Sequence, residues 1–103
     1  MLAHNVYFTL HDNSPEASQA VIDSCYKHLF GEPGVVSGSA GLRTPSLARQ
    51  VNDTEFEVAL HLVFKSLDDH NRYQICENHL AFIAENQANF KVVRVFDTDL
   101  GSA

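Results

Sequence analysis

The chain has 103 residues, 45% of them apolar and 10% aromatic, enough to enclose one hydrophobic core and too few for two, so a single domain over residues 1–103 is expected. Its formal charge of −6, from seven Lys and Arg against 13 Asp and Glu, offers no attraction to a phosphate backbone or an anionic membrane surface and argues against nucleic acid as a partner. No segment approaches the roughly 20 apolar residues of a spanning helix, and MLAHNVYFTLHD lacks a basic leader with an apolar run behind it, so a cytoplasmic protein off the membrane is expected.

The first element reads as a strand. Leu2, His4, Val6, Phe8 and Leu10 fall on one face and Asn5, Tyr7 and Thr9 on the other, the alternation of a half-buried strand. Ser14-Pro15-Glu16 then starts a helix. Serine caps free amides, proline suits the first helical position, and glutamate favours the positive end of the dipole. The stripe Val21, Ile22, Cys25, Tyr26, Leu29 steps by three and four, and Gly31 with Pro33 closes it.

A second strand is expected over Gly34–Leu42, weakly pairing because GVVSGSAGL is rich in Gly and Ser. Residues 43–53 read as a loop around Pro45. Phe56–Phe64 alternates again, with Phe56, Val58, Leu60, Leu62 and Phe64 on one face and Glu57, Ala59, His61 and Val63 on the other. Ser66-Leu67-Asp68-Asp69 resembles a capping box with Asp in place of Glu, and Tyr73, Cys76, Leu80, Ile83 and Gln87 continue from it as the stripe of one second helix. Phe90–Phe96 has the composition of a last strand. Cys25 and Cys76 make no CxxC pair and read as buried thiols.

Strand, helix, strand, strand, helix, strand is the order of a ferredoxin-like βαββαβ sandwich of the α+β class, an antiparallel four-stranded sheet with its helices on one face. Tyr7, Val63, Val92 and Phe96 would face away from the helices and need a cover. A second copy stacked through that face is the simplest one, so a homodimer forming a dimeric α/β barrel is expected.

His4 in the first strand, the FKS end of the third, Tyr73-x5-His79 with Phe82 after it, and the final VFD together resemble the stress-responsive A/B barrel domain (Dabb) family over almost the whole chain. The resemblance implies the same fold, a dimer, and a cavity between sheet and helices approached by His4, Tyr73 and His79. Tyr26 matches as a further aromatic hydroxyl, and Tyr26, Phe8 and Leu60 are candidate contacts for a small apolar ligand. Some plant members similar in these residues are polyketide cyclases that close a ring by aldol condensation without a cofactor, and related dimeric barrels include cofactor-free oxygenases. Most members have no established reaction.

Before the second histidine the family commonly has His-Pro, where this chain has Cys76-Glu77. On an unbroken helix at 100° per residue, Tyr73 and His79 point about 120° apart, which leaves His79 on the helix flank. If the two converge, a neutral imidazole takes a proton alpha to a carbonyl while the phenol steadies the enolate oxygen. The alternative is that Tyr73 anchors the helix and His79 satisfies a carbonyl or faces water.

No HxH or HxxxH pair supplies a starting chelate, so no metal is expected. The glycines form neither GxGxxG nor a phosphate loop, and no GxSxG elbow is present, so no cofactor is expected either. His61 and Arg94, with Tyr7 near them, read as a polar cluster at the dimer face or as solvated residues. Asp68, Asp69, Asp97 and Asp99 read as caps or solvated groups. The expected role is that of a family domain of undetermined biochemistry holding a small apolar ligand. The alternative is a cyclase-like aldol enzyme or a cofactor-free monooxygenase using Tyr73 and His79.

Overall fold

In the computed structural model, which describes residues 1–101, the elements are β1 (Leu2–Leu10), α1 (Pro15–His28), β2 (Val35–Leu42), β3 (Val58–Phe64), α2 (Leu67–Ile75), α3 (Glu77–Asn86), a single 3-10 turn (Gln87–Asn89) and β4 (Phe90–Asp99). The strands form one four-stranded sheet in the order β2-β3-β1-β4, and every neighbouring pair is antiparallel. This is the ferredoxin-like arrangement the element order predicts.

Alternation in β1 is complete: Leu2, His4, Val6, Phe8 and Leu10 are buried toward the helices, and the residues between them are half-buried. Helix α1 starts as its sequence dictates, with the Ser14 Oγ accepting from the Ala17 amide at 3.2 Å and Pro15 at the first helical position. Val21, Cys25 and Leu29 from its stripe are buried against Phe8, Leu60, Leu62 and Phe64 of the sheet. Burial pushes the Cys25 thiol up to about 12, so this cysteine behaves as a small apolar core residue.

Two boundaries move. Strand β3 begins at Val58, not Phe56, because the loop before it folds over the far face of the sheet and sets the Phe56 ring edge-on against Tyr7, with centroids 5.0 Å apart. Strand β4 runs on to Asp99. A bulge between Thr9 and Leu10 shifts its register, so Phe90 stacks on Phe8 on the helix side at 4.6 Å while Phe96 lies by Tyr7 on the far side at 5.8 Å.

The larger correction concerns the second helix, which is two helices. Cys76 is extended (φ −73°, ψ 156°) and both ends α2 and caps α3, its Sγ accepting from the His79 amide at 3.4 Å. Packing supplies the reason. Tyr73 and Phe82 are both 2% exposed, yet nine positions apart on one straight helix they would point about 180° from each other. Only a break lets both rings reach the core, and Cys76 makes it without a proline. Asn78 Nδ2 donates to the Glu32 carboxylate at 3.0 Å, tying the start of α3 to the loop after α1.

Ser66 caps α2 as its sequence suggests: the Ser66 Oγ accepts from the Asp69 amide at 3.2 Å and donates to the Asp69 carboxylate at 2.8 Å. Asp69 also pairs with Arg72 and is buried. Gly34, at φ +89°, lies directly against it, and a methyl group on Gly34 would overlap the Asp69 side chain. Gly34→Ala is therefore expected to lower stability by about 2–4 kcal/mol through backbone strain and a disturbed cap. Chemical denaturation measures this, and a loss below about 1 kcal/mol would show that the cap does not depend on the close approach.

Candidate functional site

Helix packing is concentrated on β2 and β3. The helix-side residues of β4 are left partly open, with Val93 45% and Val95 48% exposed. Between that strand and α3 lies a groove of about 210 Å3. Its long wall is apolar: Val6, Phe8 and Leu60 from the sheet, Phe82 and Ile83 from α3, and Phe90 where β4 begins. Its polar end collects His4, Tyr73, Gln74 and His79.

Of the residues singled out from sequence, the fold brings five into this groove: His4, Tyr73, His79, Phe8 and Leu60. Tyr26 stays out. It is exposed on α1, its ring edge-on to Phe30 and its hydroxyl accepting from the Ala40 amide at 3.4 Å. Tyr73 and His79, expected on diverging faces, meet with ring centroids 4.8 Å apart, because the extended Cys76 resets the helix direction between them. Cys76 itself is only partly buried.

The electrostatics at the polar end follow from burial. Desolvation, with the Cys25 and Cys76 thiols adding to it, pushes the Tyr73 phenol above its ordinary range, so it stays a neutral hydrogen-bond donor. Desolvation also lowers the His79 imidazole, against the Gln74 backbone carbonyl, which raises it; nearby His4 and His70 lower it further. At neutral pH His79 is thus a neutral ring able to accept a proton. Its Nδ1 is buried and, among the described residues, makes no hydrogen bond of normal geometry, although the Gln74 carbonyl lies near enough to the ring to favour its charged form. Leaving such an atom unpaired costs about 1–3 kcal/mol.

His4 is nearly enclosed, 5% exposed, and its Nδ1 donates to the Asp97 carboxylate at 2.5 Å. That fixes the tautomer of a neutral His4 and leaves Nε2 as its lone-pair nitrogen. Asp97, read from sequence as a cap or solvated group, is instead the partner of a site candidate. The signal was there: Val93, Val95 and Asp97 alternate along one face, but the strand was expected to stop at Phe96. His70, which sequence reasoning passed over, lies edge-on to His4 at 4.9 Å.

A second, larger hollow of about 450 Å3 lies on the far face of the sheet, between Tyr7, Phe96 and the loop at residues 43–56. Arg94 pairs there with Asp53 at 2.5 Å, and its guanidinium stands 5.9 Å from the centre of the Phe96 ring. His61 Nδ1 donates to the Asn5 side-chain oxygen at 2.9 Å. These polar groups satisfy one another within the chain, whereas at the polar end of the helix-side groove His79 has a buried nitrogen without a well-formed hydrogen bond. The groove is the better candidate despite its smaller volume.

A sequence profile of the Stress responsive A/B Barrel Domain, Dabb, matches residues 2–100. Among solved structures, the chain is similar to a dimeric ferredoxin-like protein of unknown function from Thermobifida fusca at 17% identity and a TM-score of 0.78, covering 96% of this chain and 90% of that one. A Dabb family protein with a ferredoxin-like fold from Mesorhizobium loti is similar at 20% identity and a TM-score of 0.75, covering 97% of each chain. SnoaB, a cofactor-independent oxygenase from Streptomyces nogalater, is similar at 16% identity and a TM-score of 0.74, covering 99% of this chain and 94% of that one. At these identities the likeness is one of fold. A comparison with curated proteins finds no significant match. No helix among the described residues is long and apolar enough to cross a membrane.

Proposed function

The chain belongs to the stress-responsive A/B barrel domain family, and from that premise we propose that its groove binds one small, mainly apolar molecule carrying a carbonyl or hydroxyl group. What supports this is the shape of the cleft, apolar along its walls and closed at one end by His4, Tyr73, Gln74 and His79, where the buried Nδ1 of His79 lacks a well-formed hydrogen bond. Apolar walls supply affinity through burial, and the few polar atoms at one end supply orientation. A volume of about 210 Å3 suits a single ring with a short substituent, since a dry cavity of about 150 Å3 already accepts benzene.

Titration of the protein with a small aryl ketone, followed by amide NMR shifts, tests the reading. Shifts are expected around His79, Phe82 and Phe90. His79→Ala is expected to weaken the ketone at least tenfold and to leave a hydrocarbon of the same shape unaffected. Shifts confined to the Arg43 and Phe56 side of the sheet, or equal ketone binding by the variant, would overturn it.

The second reading, a cofactor-independent enzyme using Tyr73 and His79, draws on their 4.8 Å approach and their neutral forms. A neutral imidazole beside a phenol can remove a proton alpha to a bound carbonyl and hold the enolate. Solvent deuterium entering that position of the bound ketone is its signature, and loss of the exchange by 100-fold or more in Tyr73→Phe and His79→Ala is its expected consequence.

We also infer a homodimer joined through the sheet face away from the helices. Val92 and Phe96 stand 44% and 51% exposed there, and the loop at residues 43–56 covers only part of the face. The dimeric Thermobifida relative supports the assembly. The two free cysteines fit a reducing compartment such as the cytoplasm.

A further inference from the structure

The geometry points to a binding site for one divalent transition-metal ion, of the zinc class, formed by His4, His70 and Asp97. The side chains come from β1, α2 and β4, and their candidate ligand atoms all lie within 4.8 Å of one another. Two imidazoles and one carboxylate are a donor set that borderline metals favour, leaving further positions for water or a ligand oxygen. With zinc bonds of about 2.0–2.1 Å, tetrahedral ligand atoms stand about 3.3 Å apart. Closing the site therefore asks its more distant ligand atoms to approach by up to about 1.5 Å, and for His4 to ligate through the nitrogen now facing Asp97 its proton must leave to solvent as the metal binds.

The surroundings permit that movement. His70 is only partly buried, and its ring contacts along α2 are to neutral amides, with Nδ1 facing the Asn71 side-chain oxygen at 3.0 Å and Nε2 facing the Gln74 amide at 3.2 Å. Among the described residues no ion pair holds it in place. His4, by contrast, is fixed by burial, and Phe64 packs edge-on to both imidazoles at 6.0 and 5.5 Å. An apolar wall of this kind limits water on one side of a metal and strengthens its electrostatic grip.

The site would place a cation at the polar end of the groove beside Tyr73 and His79 without using either of them as a ligand, so it stands independently of the ligand reading above. It was invisible in the sequence because no two of its members share an element at chelating spacing.

The full chain, stripped of metal with a chelator, is titrated with zinc chloride by calorimetry and with cobalt chloride by visible absorption. One ion per protomer and cobalt d–d bands are expected. His70→Ala and Asp97→Asn should each weaken zinc at least tenfold, while His11→Ala and His61→Ala, both exposed and elsewhere, should leave it unchanged. No binding by the parent, or equal binding by His70→Ala, would overturn the site. His70 is partly exposed, so its variant is expected to keep the fold, which circular dichroism verifies, and the test holds even if Asp97→Asn unfolds.

Discussion

Phe64→Ala is expected to remove about 3–5 kcal/mol of stability, out of the roughly 5–15 kcal/mol a domain of this size possesses. Phe64 is fully buried at the end of β3, and its ring touches Tyr73, His70 and His4 at centroid distances of 5.0, 5.5 and 6.0 Å. Truncation loses the transfer energy of the ring and leaves a cavity that the sheet, paired on both sides of β3, cannot collapse to fill. Phe64→Leu, which keeps much of the volume, should lose only about 1–2 kcal/mol. Urea unfolding of the pair gives the comparison. Equal losses in the two variants would mean that the polar end of the groove is not built on this ring.

Replacing Phe96 with Asp should turn the homodimer into monomers, weakening association at least 100-fold, about 2.7 kcal/mol. On the inferred interface a carboxylate at Phe96 would replace an apolar ring and lose its water, and the one cation near it, Arg94, is already paired with Asp53, so the buried charge costs several kcal/mol. The side chain is half exposed within one protomer, so the variant should retain the parent's far-UV spectrum and a cooperative thermal transition, at a lower temperature because it loses the stabilisation of association. Sedimentation velocity at micromolar concentration reads the result. A parent that sediments as a monomer removes the dimer, and a variant that sediments as a dimer moves the interface to another face.

The two halves of the candidate site differ in how far they could be read in advance. His4, Phe8 and Leu60 were legible because strand alternation has a period of two, so knowing one inward residue fixes the rest. Tyr73 and His79 were legible as residue types, but not as neighbours. Their approach depends on a break at Cys76 that no proline marks and that local propensity does not demand. The spacing of Tyr73 and Phe82 was the available clue: two large aromatics nine apart cannot share one face of a straight helix, so either one is exposed or the helix bends.

Alternation and capping by themselves determined the order of this protein's elements, the inward face of β1 and of β3 from Val58 on, and the start of each predicted helix, because these depend on side chains within a few positions of each other. The bulge that sends Phe90 and Phe96 to opposite faces, the loop that lays Phe56 on Tyr7, the exclusion of Tyr26 from the groove and the meeting of His4, His70 and Asp97 were decided only by the tertiary structure. Each of these joins segments distant in the chain, where the outcome is set by how a twisted sheet and three helices fill space together, and no local pattern carries that information.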